Sequence, residues 1–490
     1  MFLDPQGAAL VLHRFGFGPR PGTIAAVTSD PKSALIAELD RPNAGNVADP
    51  SLLSSGTANR IAFEFNAARL SRQRLAARRQ VVARQEAAKL VAENATVQNP
   101  AIDNSGMAKP MEAKPPAASL PIPEPETPMR ENFFREAQAH YDAAITADVG
   151  FVERLVWFWS NHFCVNADVT VMAGAYEREA IRPHVLGRFA DLLLAAESHP
   201  AMLIYLDNAS SIGPNSVAGI NRNRGINENL GREILELHTL GVRGGYDQDD
   251  VVSLAKAITG WTIYETATNP DHGGEFLYHP RLHEPGPETV LGRAYSDIGV
   301  EQGRAVLADL ARHPATAQHV ATKLARHFIA DDPSPALIEL LKKTFLDTDG
   351  DLLQVSKALV TAPESWSPTQ AKIKHPSEWM VAFIRAAGFN KGDVRRMVPA
   401  LNRLGEPLWR PSAPKGFGDE NDDWLDGVAY RLDTANAVAQ NYGNLLDPKA
   451  MLETSLGPLA SAETRSALTR AETKQQAITL LLMAPELQRR

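Results

Sequence analysis

Apolar residues recur every three to four positions along most of this chain, the spacing of helices that bury one face. That pattern predicts helices over 131–147, 150–163, 174–196, 227–240, 247–259, 299–311, 314–330, 334–346, 351–361, 375–388, 393–403, 423–441 and 464–484. An earlier helix is expected near Pro31 to Leu39, after a turn marked by FGFGPRPG. Strand-like segments are confined to Glu275–Tyr278 and Thr289–Leu291, on either side of HPRLHEPGP, and these are expected to form one small hairpin carrying His283. No repeat of 20 to 50 residues is visible. The expected class is all-α: a large multi-helical body with one small β-hairpin.

Two segments interrupt this body. Residues 59–95 keep a helical pattern but carry Arg69, Arg72, Arg74, Arg78, Arg79 and Arg84, which reads as a basic helical arm, either a solvated helix or a contact for a partner. Residues 96–129 are rich in Pro, Ala and polar residues without an apolar period, and read as a Pro-rich linker. The chain therefore divides into an N-terminal helical segment (1–58), the inserted arm (59–95), the linker (96–129), a helical core with the hairpin (130–294) and a C-terminal helical region packed on that core (295–490). Within the last region WRPSAPKGFGDENDDW is expected to be an irregular loop between helices. Trp409, Lys415 and Trp424 either line a binding surface there or tie the loop down by packing.

Composition narrows the function classes. A net charge of −8 over 490 residues supplies no general basic field, so nucleic acid is not an expected partner. A single cysteine, Cys164, excludes an internal disulfide framework and any multi-thiolate metal site, and reads as core packing. The beginning of the chain lacks the features of a secretory signal, and no apolar run of about 18 residues occurs, so no transmembrane segment is expected. The expected location is the cytoplasm, with export alongside a signal-bearing partner left open.

The candidate chemistry centres on NENLGREILELHTLG, residues 227–241. On helical geometry Glu233 falls inside the apolar arc of Leu230, Ile234, Leu237 and Leu240, with Glu236 at its edge. A carboxylate directed inward must pair with a cation or have a raised pKa. His238 lies on another side and reads as a cation at the helix end, followed by Gly241 as a cap. Arg232 stands four residues before Glu236, at salt-bridge spacing. Imidazoles from elsewhere would complete a divalent-metal site of the zinc, iron or copper type, with Glu233, Glu236, His162 and His283 as ligands. Without a metal, Glu233, Glu236 and His283 are the candidate catalytic acid/base groups. The polar loop at 206–229 offers Asn215, Arg224, Asn227, Asn229 and Arg232 for ligand binding, and Asn227 is also a plausible helix cap.

Several excluded motifs limit the field. There is no HExxH, no paired Glu-x-x-His, no GxSxG elbow and no phosphate or dinucleotide glycine loop in the required context. DTDGDL places Gly350 fourth rather than sixth from Asp347, which argues for a turn capping the next helix instead of a calcium loop.

The segments LHRFGFGPRPG, ERLVWFWSNHFCV, YEREAIRPHVLGRFADLLL, HPAMLIYLDNASSIGPNS, NENLGREILELHTLGVRGGYDQDDVV, ITGW, LHEPG with VLGRAY, and HPATAQHVATKLARHFIAD together resemble the bacterial domain-of-unknown-function family numbered 1800 (DUF1800). The resemblance runs along most of the chain and leaves the arm and linker as a variable insertion. It implies a fold family and no settled activity. It also implies a protein partner encoded nearby, from a family with exported members. Two functions follow: an enzyme or metal-binding protein with an acid/His pocket, or a non-catalytic helical partner or scaffold for an exported protein.

Overall fold

A computed structural model describes residues 3–95, 126–220, 225–425 and 427–490. The fold is all-α, with four three-residue strands as its β-structure among the described residues. Nine of the periodicity-based helices form with shifted ends: Pro128–Thr146, Phe151–His162, Gln248–Ala257, Val300–Arg312, Pro314–Phe328, Pro335–Asp347, Leu352–Thr361, Pro376–Ala386 and Val394–Arg403. The stretch expected as 464–484 is two helices, Ala462–Thr469 and Lys474–Leu482, and that expected as 423–441 is described as Asp422–Leu425 and Val428–Tyr442. The helix expected over 174–196 is divided. A turn at Ala173–Tyr176 runs into a π-helical segment at Glu177–Ile181 and a 3₁₀ turn at Arg182–His184, before Phe189–Glu197 resumes. Pro183 is the cause, since it cannot donate its backbone N–H and crowds the preceding turn.

Both expected strands form, but they do not pair with each other. Strand β1 (Trp261–Ile263) pairs antiparallel with β2 (Phe276–Tyr278), and β3 (Glu288–Val290) pairs with β4 (Arg293–Tyr295). The β3–β4 connection is Leu291–Gly292 with φ of 50° and 73°, the two left-handed positions that a tight primed hairpin turn demands. Leucine is an unusual occupant, and Asp250 Oδ1 holds its backbone N–H at 2.7 Å.

Apolar packing is organised as two cores. The first draws on residues from Val11 to Ala362, including Trp159, Phe163, Leu230, Ile234 and Leu324. The second combines helix Pro128–Thr146 with residues from Trp379 onward, together with Phe17. Residue 295, expected as a division, falls within the stretch that builds the first core. Trp157 and Trp409 pack against both cores and mark the seam between them.

Helices Pro128–Thr146 and Phe151–His162 meet at the seam, and distant side chains hold the ends where they turn into each other. Buried Glu38 accepts from the backbone N–H groups of Val149 (3.2 Å), Gly150 (3.0 Å) and Val152 (3.0 Å) at the start of Phe151–His162. Buried Arg385 donates to the carbonyls of Ala144, Ile145, Ala147 and Asp148 at the end of Pro128–Thr146, and to Gly18 O. Each charge complements the helix end it faces. Glu38→Ala, which leaves three amides without their acceptor, is expected to destabilise the protein by about 1–3 kcal/mol. A urea midpoint unchanged from the parent would contradict this role.

The arm is one continuous helix, Ser55–Ala95. Its base is tied down where Ala58 and Ala62 are buried and Arg60 pairs with Glu275 at 3.1 Å. Residues 66–89 of it are exposed, and residues 96–125 of the expected linker lie outside the described residues. No helix among the described residues is long and apolar enough to cross a membrane.

Candidate functional site

The acidic helix is shorter and differently wound than expected. Asn229–Glu233 is α-helical, and Ile234–His238 is π-helical. This change of winding alters the angular positions on which the sequence reading relied. Arg232 pairs with Glu228 at 2.9 Å rather than with Glu236, and Glu236 instead accepts from Tyr246 Oη at 3.3 Å. Glu233 is half-buried and burial raises its pKa, with His238 opposing the shift. His238 is not a solvent-facing cap. It is fully buried, with Nδ1 2.7 Å from Glu197 Oε1. Gly241 does take the left-handed conformation, at φ 84°.

The other expected ligands are engaged elsewhere. His162 has Nε2 3.1 Å from the carbonyl oxygen of His238 and Nδ1 2.9 Å from Lys323 Nζ. His283 has Nδ1 2.9 Å from Thr259 O and Nε2 3.4 Å from Asp297. Asn215 donates its backbone N–H and its side-chain amide to Glu284. Asn227 forms a turn ahead of the short helix, its Oδ1 accepting from Asn229 N at 2.9 Å, while the N-cap position is Glu228 and Asn229 itself is exposed. Arg224 lies outside the described residues. Among the described residues no group of three or more His, Cys, Asp or Glu side chains is placed to hold a metal ion, so Glu233, Glu236, His162 and His283 are not assembled as one ligand set.

A different cluster of titratable residues surrounds a cavity of about 410 Å³ at the seam. One wall is built on helix Pro128–Thr146 and the π-helical segment. His140 Nδ1 lies 2.9 Å from Glu177 Oε1, and its ring stacks on Trp157 with centroids 4.7 Å apart and planes 9° from parallel. Glu177 also accepts from Arg182 Nε (3.1 Å), Trp409 Nε1 (3.0 Å) and Ser160 Oγ (3.2 Å). Burial opposes its ionisation, yet His140 and Arg182 outweigh that cost and lower its pKa to about 2. A fixed carboxylate accepts, so His140 Nδ1 carries the proton that it donates. The other ring nitrogen, Nε2, has no partner among the described residues and belongs to a side chain lining the cavity.

The opposite wall comes from helices Pro314–Phe328 and Pro376–Ala386 and from the loop that ends at Asp419. Asp419 Oδ1 stands 2.9 Å from His327 Nδ1 and 3.3 Å from His375 Nε2. The two imidazoles share one carboxylate but titrate far apart because of what lies behind each. Arg154 Nη2 donates to His327 Nε2 at 3.0 Å, which obliges that nitrogen to accept. Burial, reinforced by Arg490 and Arg154, lowers His327 to about 3 against the pull of Asp419. Behind His375 stand carboxylates: burial would lower it, but Glu378, Asp419 and Glu406 raise it to about 9. At neutral pH His375 is thus cationic while His327, on the same carboxylate, is neutral, a separation of acid and base states within one enclosure.

A loop closes the enclosure. Trp409, Lys415, Gly416, Phe417 and Asp419 line it, so the irregular segment both forms a wall and is pinned by tryptophan packing. Trp424 packs on His375 with centroids 4.7 Å apart. Asn161 accepts from Phe417 N at 2.8 Å and donates to Phe417 O at 3.0 Å, acting as one rung of a strand pair. Gly416 has φ 79°, and a Cβ there would lie 2.4 Å from Asn161 O, so this close approach requires glycine. Cys164 also lines the cavity, but burial raises its thiol to about 12 against the pull of Lys323, which leaves it a poor nucleophile.

One signal of this cluster was present in the sequence. His319, Lys323 and His327 are spaced by four and so share one helix face, and Lys323 and His327 on that stripe line the cavity. His140 and Glu177 carry no such signal, because a π-helical segment brings them together. In comparisons with known proteins, a family model described as "Protein of unknown function (DUF1800)" matches residues 10–489. No curated protein and no solved structure matches.

Proposed function

The chain belongs to the DUF1800 family, a membership that specifies no reaction, and from the cavity's chemistry we propose that it is an enzyme performing general acid–base catalysis on a small polar organic molecule. The observation that carries this reading is His140, a side chain lining the cavity that donates through Nδ1 to an ionised Glu177 and whose Nε2 has no partner among the described residues. A carboxylate in that position fixes the tautomer and stabilises the imidazolium that forms when Nε2 takes a proton from water or substrate. The stacking of His140 on Trp157 restricts its reorientation. His375 supplies positive charge across the cavity, where an anion developing in the transition state would be stabilised.

This reading keeps the acid/His pocket expected from sequence and moves it from the Glu233 helix to the seam between the cores. The alternative, a non-catalytic partner or scaffold, draws on the exposed arm, where Leu70, Leu75, Val81 and Val82 are solvent-facing. The two are compatible, since the arm projects beyond its tied base whereas the cavity lies at the seam.

The test is a turnover screen on esters, amides, sugars, hydroxy acids and carbonyl compounds, run in parallel on the parent protein and His140→Asn. Asparagine retains polarity but cannot carry the proton, so turnover should fall by about a hundredfold with the unfolding midpoint little changed. A substrate turned over equally by both proteins would refute His140 as the base.

A further inference from the structure

Lys323 is enclosed in an unusual way. It sits in the middle of the His319–Lys323–His327 stripe and lines the cavity. Its one hydrogen bond among the described residues runs to His162 Nδ1 at 2.9 Å, and no carboxylate among them stands within ion-pair distance of its Nζ. The direction of that bond follows from the other side of the ring. His162 Nε2 faces a carbonyl oxygen, the backbone O of His238, and must carry the proton; Nδ1 is therefore a lone pair that accepts from Lys323. The remaining neighbours add no anion at contact, as Arg326 is a cation and His319 and Cys164 are neutral. Burial lowers Lys323 to about 8, with Asp419 opposing the shift from a distance, so a reactive fraction of free amine exists at neutral pH.

We propose that Lys323 is a carbonyl-capturing amine and that the small polar ligand of this cavity is an aldehyde or ketone, an inference that rests on the cavity being a substrate site. With one N–H donated to His162, the amine lone pair is available to the cavity. It adds to the carbonyl carbon as the C=O π pair moves to oxygen, which gives a carbinolamine once the nitrogen proton is transferred. Protonation and loss of that hydroxyl as water forms the C=N bond, so carbonyl plus amine yields imine plus one water with no oxidant or reductant. Hydrolysis reverses the step and restores the lysine. His162 acts as a positioning residue by holding Nζ. His140 would serve as the base for a proton on the carbon beside the iminium.

Trapping decides the matter. The full-length protein is incubated with glycolaldehyde or pyruvate, reduced with borohydride, and mapped by peptide mass spectrometry. Hydride converts the imine to a stable secondary amine, and modification of Lys323 at least tenfold ahead of the exposed Lys343 and Lys449 is expected. Lys323→Arg should lose that adduct, while the map of the parent protein stands by itself should the variant fail to fold. His162→Gln, which keeps an acceptor, should retain more trapping than His162→Ala. Lys343 or Lys449 labelled at or before Lys323 would overturn the proposal, even if turnover depends on His140. Trapping at Lys323 that persists in His140→Asn would uphold the lysine whether or not His140 proves to be the base.

Discussion

Glu378→Ala is expected to cost the protein about 3–5 kcal/mol, a large share of the 5–15 kcal/mol typical of a folded domain. Glu378 is buried between two guanidinium groups, with Arg154 Nη2 on Oε1 and Arg490 Nε on Oε2, each at 2.9 Å. Arg154 is itself enclosed between the rings of Phe17 and Phe328, its guanidinium carbon 5.5 and 5.6 Å from their centroids. Removing the carboxylate strands two buried guanidinium groups without their counter-charge. Glu378→Gln preserves the shape and one acceptor, and should cost less. Urea unfolding of the three proteins measures the effect, and an alanine variant within 1 kcal/mol of the parent would show that Arg154 and Arg490 are compensated in another way. Since Glu378 is the main group raising His375, its loss should also lower the pKa of that imidazole.

The second large effect is in pH. His375 is raised from 6.5 to about 9 in the folded protein, so its contribution is fully present below about 6.5 and is lost as pH rises through 9. That shift corresponds to stabilisation on the order of 3 kcal/mol. His327 and His319 are lowered to about 3 and 4, chiefly by burial, so they act on the other side. Below about 6.5 the unfolded chain takes up protons that these folded imidazoles refuse, and stability drains as the pH falls towards their folded values. For these histidines stability should therefore peak near pH 6.5 and decline on both sides, the alkaline loss being read between about pH 6.5 and 8, because Lys323, lowered to about 8, adds stability as pH rises beyond that. His375→Gln is expected to flatten the alkaline limb and leave the acid limb in place. Denaturant midpoints measured from pH 4 to 10 provide the check, and an alkaline limb equally steep in the variant would remove His375 from this role.

The helices were legible because a buried face repeats every three to four residues, as Val306, Leu307 and Leu310 do in Val300–Arg312. Features that do not repeat were not. The π-helical segments at 177–181 and 234–238 leave no periodic trace, and they change which way Glu177 and Glu236 are carried. The strands near 276 and 289 could be recognised from their residues, but their partners could not, since which three-residue segments pair is decided by tertiary packing. The acidic helix attracted attention because two carboxylates beside an asparagine stand out in one segment. The seam cavity is assembled from single residues far apart in sequence, His140, Glu177, Lys323, His375 and Asp419, and only the His319–Lys323–His327 spacing hints at it. Burial was the informative quantity for Glu233, and the direction of its pKa matches an inward carboxylate. Convergence with His162 and His283 is a tertiary property that one helix cannot reveal.

The corner between the two helices depends on Glu38 and Arg385 together, residues contributed from well before and well after it in the chain. During synthesis from the N-terminus, the His140 segment emerges long before the arginine that seals its end or the loop that encloses it. The nascent chain can therefore build its first core while its chemistry stays unassembled. The lining of the cavity reaches from His140 to Asp423, so the enclosure is fully framed only after most of the polypeptide has been made.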